Sequence, residues 1–215
     1  MIAQNSVNKG LTFSAVLLAG GESRRMGRDK ATLEFEGEPL WKRQLELLQA
    51  LSPQQLFLSA RAKPEWLPPN LELLLDDPPS RGPLSSLTKA LVAMRTTHLI
   101  ALAVDMPFMT VGELGHLLAL APDGCGIVPL VGQTAEPLAA IYPAEAADDF
   151  QAALGGADFS LQSVVRTLNA RERVKLVPIS NESAPLYRSV NSPGDFKEER
   201  FPNRPPNSIG PATAG

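Results

Sequence analysis

The amino-acid sequence predicts an α/β protein: a Rossmann-like, doubly wound, mostly parallel sheet with helices on both faces. Three observations carry that expectation. Short apolar runs recur without polar alternation, as suits strands covered on both faces. Segments with apolar residues at helical spacing lie between them. The first run, Ser14 to Leu18, feeds a connection rich in glycine and cations, Leu18 to Lys30 (LAGGESRRMGRDK), at the strand end where open α/β sheets bind ligands.

The elements follow in order. After the glycine connection, Ala31, Leu33 and Phe35 alternate with polar residues as a short strand or hairpin arm, and Gly37 turns the chain. Pro39 is expected to open a helix running to about Leu51, with Leu40, Leu47, Leu48 and Leu51 at core spacing. Leu56 to Ala60 and Leu71 to Leu75 read as strands, Pro83 to Arg95 as a helix, Leu99 to Val104 as a strand and Val111 to Leu120 as a helix. The second half is less regular. Ile127 to Leu130 and Leu138 to Tyr142 read as strands, placed as an antiparallel pair across Gly132. Pro143 to Leu154 and Ser160 to Leu168 read as amphipathic helices, the second capped by Ser160, and Val174 to Ile179 as a last strand. Residues 1–12 are polar and read as an extension, residues 13–196 as one domain, and residues 197–215, rich in proline and without an apolar period, as a disordered tail.

Composition narrows the function. A chain of 215 residues fits one α/β domain with a substantial core. A formal net charge of −3 supplies no basic field for nucleic acid or an anionic membrane, so neither is expected as a partner. A single cysteine, Cys125, excludes an internal disulfide framework and fits a reducing compartment; the strand-like context reads it as a small buried thiol. With two histidines beside it, a His/Cys metal site is not expected. The apolar run from Phe13 to Ala19 is too short for a membrane span and lacks a cleavage-site context, so the expected location is cytoplasmic.

The glycine connection reads as a phosphate-handling loop. Gly20 and Gly21 let the backbone approach a polyanion with its N–H groups turned inward, while Arg24, Arg25 and Lys30 supply charge. It is not a P-loop, because Gly27 is followed by Arg28-Asp29-Lys30 rather than Lys-Ser/Thr, and Gly20-Gly21-Glu22-Ser23 does not form a dinucleotide fingerprint. Asp105 is the second signal. It follows the buried run Leu99 to Val104, which places a carboxylate at the same sheet edge, able to hold a hard cation, with Mg2+ expected; a turn-forming or helix-capping role is the alternative. Asp76-Asp77-Pro78-Pro79-Ser80-Arg81-Gly82-Pro83-Leu84 is the third, again between an apolar strand and a helix. The plain alternative for its aspartates is that of solvated turn formers. The fourth is Tyr187 to Phe196, where Asn191-Ser192-Pro193 also suits a helix start.

The glycine pair followed by Ser23-Arg24-Arg25-Met26-Gly27 and Asp29-Lys30 resembles the signature loop of nucleotidyltransferases that couple an NTP to a phosphorylated acceptor, and is most similar to that of the molybdenum cofactor guanylyltransferases. The resemblance runs from about Phe13 to Phe196 and implies a nucleotide-diphospho-sugar-transferase-like fold. It implies that Leu18, Ala19, Gly20, Gly21, Lys30, Asp76, Gly82 and Asp105 bind nucleotide, that Arg25, Lys30 and Asp105 carry catalysis, and that Asp105 in Asp105-Met106-Pro107 holds the metal. Asn191, Ser189 and Glu136 are implied as acceptor-side or metal-supporting residues. Two positions depart from the family pattern: Ser86 stands where glycine is typical, and Ser189 where the closing element usually carries asparagine.

The implied reaction transfers GMP from GTP to molybdenum-loaded molybdopterin and releases pyrophosphate. Mg2+ is the implied cofactor, GTP and molybdopterin the substrates, and molybdoenzymes or cofactor-insertion proteins the contacts. The alternatives are a cytidylyltransferase or another nucleotidyltransferase acting on a phosphorylated acceptor, and a catalytically weakened nucleotide- or cofactor-binding protein.

Overall fold

The computed structural model describes residues 10–20 and 30–190. Ten strands, β1 Phe13–Leu18, β2 Glu34–Phe35, β3 Glu38–Pro39, β4 Leu56–Ala60, β5 Glu72–Leu75, β6 His98–Ala103, β7 Gly126–Val131, β8 Thr134–Ala135, β9 Ala139–Pro143 and β10 Val174–Pro178, alternate with five α-helices. The helices are α1 Leu40–Ala50, α2 Pro83–Ala93, α3 Val111–Leu120, α4 Ala147–Leu154 and α5 Leu161–Ala170. The main sheet has the order β10-β7-β9-β6-β1-β4-β5, with β8 added to β7, and β2 with β3 forms a separate hairpin.

The apolar runs explain the central layer. β1 pairs in parallel with both β6 and β4, and its residues from Ser14 onward are all buried. A strand covered on both sides needs apolar residues at every position, which is why no alternation is visible. Ala15 and Leu17 face one core with Leu40, Leu45 and Leu48 of α1 and Leu114 and Leu117 of α3. Val16 and Leu18 face the other, with Leu84, Leu87 and Leu91 of α2, Phe150 of α4 and Val164, Val165 and Leu168 of α5. Helices therefore cover both faces, as expected.

The sheet departs from parallel at β9 and at the short β8. β9 runs antiparallel to β6 through His98↔Pro143 to Leu102↔Ala139, and antiparallel to β7 at Ile127↔Ile141. β7 does turn at Gly132, whose φ is +62°, but the strand it meets there is the two-residue β8, and β9 follows from it. Gly126 opens β7 where the strands crowd: a Cβ there would overlap the Ile141 carbonyl oxygen and lie 2.9 Å from Pro143 Cδ. Glycine is required by close approach, not by a turn.

Several element edges differ from expectation. Pro39 ends β3 and serves as the N-cap position of α1, which starts at Leu40. Pro143 closes β9, and a short 3-10 turn, Ala144–Ala146, precedes α4. Ser160 occupies the N-cap position of α5 without a side-chain capping bond; its own N–H donates to Asp158 Oδ1 at 2.9 Å, so a neighbouring carboxylate orders the entry. Leu11 packs on the core and Thr12 pairs with Thr97, whose N–H donates to Thr12 Oγ1 at 3.1 Å. Among the described residues no helix is long and apolar enough to cross a membrane.

Candidate active site

The strand order brings three chain-distant segments to one edge. Because β1, β4, β5 and β6 are parallel, the residues following each emerge together: Ala19 and Gly20 after β1, Asp76 after β5, Asp105 just beyond β6. β9 is reversed, so its beginning, not its end, meets this edge and delivers Leu138, whose carbonyl accepts the Ala103 N–H at 2.8 Å. The cleft so formed is lined by Leu18, Ala19, Gly20, Lys30, Pro83, Ser86, Ala103, Val104, Asp105 and Leu138.

Lys30 and Asp105 face each other across it, Nζ to Oδ2 3.2 Å, with 21% and 23% of their side chains exposed. Partial exposure leaves both available to a ligand while keeping them out of full solvent screening. The backbone around Asp105 is fixed from four directions. Val104 N–H donates to Leu18 O at 3.1 Å, Arg43 Nε donates to Pro107 O at 2.9 Å, the Gln44 side-chain amide donates to Met106 O, and Val190 N–H donates to Asp105 O at 2.8 Å. Asp105 neither caps a helix nor closes a turn by its side chain. The cap of α3 is Thr110, whose hydroxyl accepts from Glu113 N–H at 3.1 Å.

The donor set has a definite chemical reach. No group of three or more His, Cys, Asp or Glu capable of caging a metal exists among the described residues. Asp105 Oδ1 carries no protein partner among them, so it offers a single open carboxylate oxygen at the cleft. One carboxylate is what a hydrated, octahedral hard cation uses when phosphates and waters complete its shell.

Asp76 is nearly buried beside the glycine loop. A Cβ built on Gly20 would lie 3.6 Å from Asp76 Oδ2. Its carboxylate is held by two serines: Ser80 Oγ donates to Oδ2 at 2.9 Å and Ser86 Oγ to Oδ1 at 3.0 Å. Ser80 Oγ also accepts Gly82 N–H at 3.1 Å, and Ser85 Oγ accepts Arg81 N–H at 2.8 Å. Gly82, with φ +64° and ψ −143°, occupies a conformation reserved for glycine and turns the chain into Pro83 at the start of α2. Asp77, the other aspartate of the pair, points outward to Lys89 at 2.7 Å and is mostly exposed.

The acceptor-side candidates are less gathered. Glu136 is half-buried, its carboxyl pushed above the ordinary glutamate range by burial, and no described residue pairs with it. The turn bearing it is held by Tyr142 Oη donating to Pro137 O at 2.8 Å. Tyr187 donates to Glu113 Oε1 at 2.7 Å, and its phenol is pushed up by burial, then by that bond and the charges of Glu113 and Glu136. Ser189 is exposed between Arg188, whose guanidinium lies 5.1 Å over the Phe108 ring, and Val190. Gly21, Arg24, Arg25 and Asn191 lie outside the described residues.

Leu18, Ala19, Gly20, Lys30 and Asp105 thus meet in one cleft and Asp76 adjoins it through Gly20, whereas Gly82 and Glu136 do not line it, their places being taken by Pro83 and Leu138. Sequence reasoning missed Arg43 and Gln44 as supports of the Asp105 turn, and Ser80 as a partner of Asp76. An internal helix position carries no sequence mark for such a role. The other sensitive groups are structural. His98 is fully buried with its ring nitrogens against Thr97 Oγ1 at 2.9 Å and Pro122 O at 3.2 Å, and the Cys125 thiol is pushed up by burial.

This topology is shared with nucleotidyltransferases of known structure. Molybdopterin-guanine dinucleotide biosynthesis protein A from Archaeoglobus fulgidus superposes with a TM-score of 0.66 at 23% identity, covering 86% of this chain and 95% of that one. 2-C-methyl-D-erythritol 4-phosphate cytidylyltransferase from Thermus thermophilus gives 0.60 at 17%, covering 84% and 94%. The protein belongs to the MobA-like NTP transferase family, whose model matches residues 15–174. A relative from Opitutus terrae, named "Probable molybdenum cofactor guanylyltransferase", is 33% identical over 191 residues, 87% of this chain and 95% of its own length.

Proposed function

We propose that this chain transfers GMP from GTP to molybdenum-loaded molybdopterin, with release of pyrophosphate and with Mg2+ as cofactor. The observation that carries this reading is the Lys30–Asp105 pair, 3.2 Å apart, at the head of a cleft whose floor is the glycine-bearing end of β1. The names of the relatives supply the base and the acceptor.

An acceptor phosphate oxygen attacks the α-phosphorus and pyrophosphate leaves. Such a phosphate is already anionic near neutral pH, so no protein nucleophile or histidine base is required, and neither histidine lines the cleft. Magnesium held at Asp105 would offset the charge gathering on the leaving group. Lys30 places its ammonium against the triphosphate, and Asp105 Oδ2 fixes the direction of that ammonium. Arg43, Gln44 and the Val190 amide keep the Asp105 turn rigid while charge shifts. The nucleoside extends over β4 and β5 toward Asp76; the acceptor lies over β9 toward Leu138 and Glu136. We infer a cytoplasmic setting, which the single cysteine suits.

The test is pyrophosphate release with Mg2+ and each of the four NTPs, with and without molybdenum-loaded molybdopterin. Release with GTP, only in the presence of acceptor, is expected. Release with CTP alone would make the chain a cytidylyltransferase, and no release with any nucleotide despite binding would make it a binding protein.

A further inference from the structure

The Asp76 carboxylate is constrained more tightly than a solvated turn former would be. Ser86, at a position where the family resemblance expects glycine, is 4% exposed and reaches Oδ1 from the second turn of α2 at 3.0 Å. Ser80 reaches Oδ2 from the loop at 2.9 Å and is itself braced by the Gly82 amide. Each oxygen accepts one serine proton and keeps further acceptor capacity. Asp76 also adjoins Gly20, and Ser86 lines the cleft, so the carboxylate stands beside the cleft on the β4–β5 side, toward which the transferase reading above extends the nucleoside.

We propose that Ser86 is a positioning residue for nucleoside recognition: with Ser80 it fixes Asp76 so that its two oxygens face a pair of adjacent donors on the nucleoside. The inference rests on the nucleotidyl-transfer reading above. Two donor pairs have the right chemistry: the N1–H and 2-amino group of guanine, and the ribose hydroxyls. A free carboxylate rotates among several orientations; one anchored at both oxygens offers a single bidentate geometry, and a mismatched partner leaves it unpaired.

The experiment is equilibrium binding of GTP, ITP and 2′-deoxyGTP to the full chain and to Ser86→Ala and Ser86→Thr, with thermal midpoints recorded in parallel. The unmodified chain should bind one of the two analogues roughly tenfold less well than GTP, a single lost hydrogen bond to a charged group. Ser86→Ala should bind GTP several-fold more weakly and lose that discrimination, and Ser86→Thr, which keeps the hydroxyl, should restore it. Lost discrimination against ITP assigns the contact to the base, and against 2′-deoxyGTP to the ribose. Discrimination unchanged in Ser86→Ala, whatever its midpoint, overturns the inference alone, as does a Ser86→Thr chain of native midpoint that fails to restore it. Equal binding of all three nucleotides by the unmodified chain also overturns it. Absence of GTP binding by the unmodified chain overturns the transferase reading first, and this inference with it.

Discussion

The two halves of the sheet solve different problems at the same edge. From β5 through β6 the strands are parallel, and the two aspartates that follow them are held by partners: Asp76 by Ser80 and Ser86, and Asp105 through Oδ2 by Lys30. Beyond β6 the sheet is mixed, with β9 antiparallel to β6 and β7 but β10 parallel to β7, and Glu136, just ahead of β9, is half-buried with no described partner. Burial opposes the charged form of that carboxyl, whereas the carboxylates at the parallel edge are met by hydroxyls or an ammonium. The parallel half presents an ammonium and carboxylates in fixed pairs; the antiparallel half presents a half-buried carboxyl.

That contrast can be broken at the centre first. Asp105→Ala is expected to lower pyrophosphate release at saturating GTP by at least about a hundredfold, because it removes charge placement in the transition state. The thermal midpoint should hardly move, since the turn is kept by backbone carbonyls and not by the carboxylate. Lys30→Ala should raise the KM for GTP by roughly tenfold to a hundredfold, the worth of one charge-assisted bond, with a direct binding titration as the check.

On the other half, Gly126→Ala should destabilise the fold by about 3 kcal/mol, read from a denaturant midpoint, because a methyl there collides with the Ile141 carbonyl across the β7–β9 seam. The smallest effect belongs to Glu136. Burial raises its carboxyl above the unfolded value, so the folded state binds the extra proton and stability falls as pH rises through the window between the two values. Glu136→Gln should therefore flatten that fall and leave the chain slightly more stable at neutral pH, in melts run across the mildly acidic range.

How far the sequence reached differs between the halves for the same physical reason. β1 and β6 are buried on both faces, and their unbroken apolar runs, Ala15 to Leu18 and Leu99 to Ala103, announce it. Their ends then locate Gly20 and Asp105 without further information. Gly82-Pro83 marked the start of α2 because only glycine adopts that backbone geometry and proline suits the first helical turn. β9 was legible as a strand and as an antiparallel partner of β7, but nothing local says that its other edge pairs with β6, a long-range contact. Ser160 takes the N-cap position as read, but its hydroxyl makes no capping bond, and the Asp158 carboxylate accepts its N–H instead. The grip of Ser86 on Asp76 spans ten residues and two elements, so the sequence could show the departure from glycine but not what the hydroxyl touches.

The most direct test follows the label. With GTP carrying a radioactive α-phosphate, Mg2+ and molybdenum-loaded molybdopterin, the label should pass to the acceptor in step with unlabelled pyrophosphate, and Asp105→Ala should slow both by at least about a hundredfold. Label released as free GMP or phosphate, or transfer at an undiminished rate in Asp105→Ala, would contradict the account.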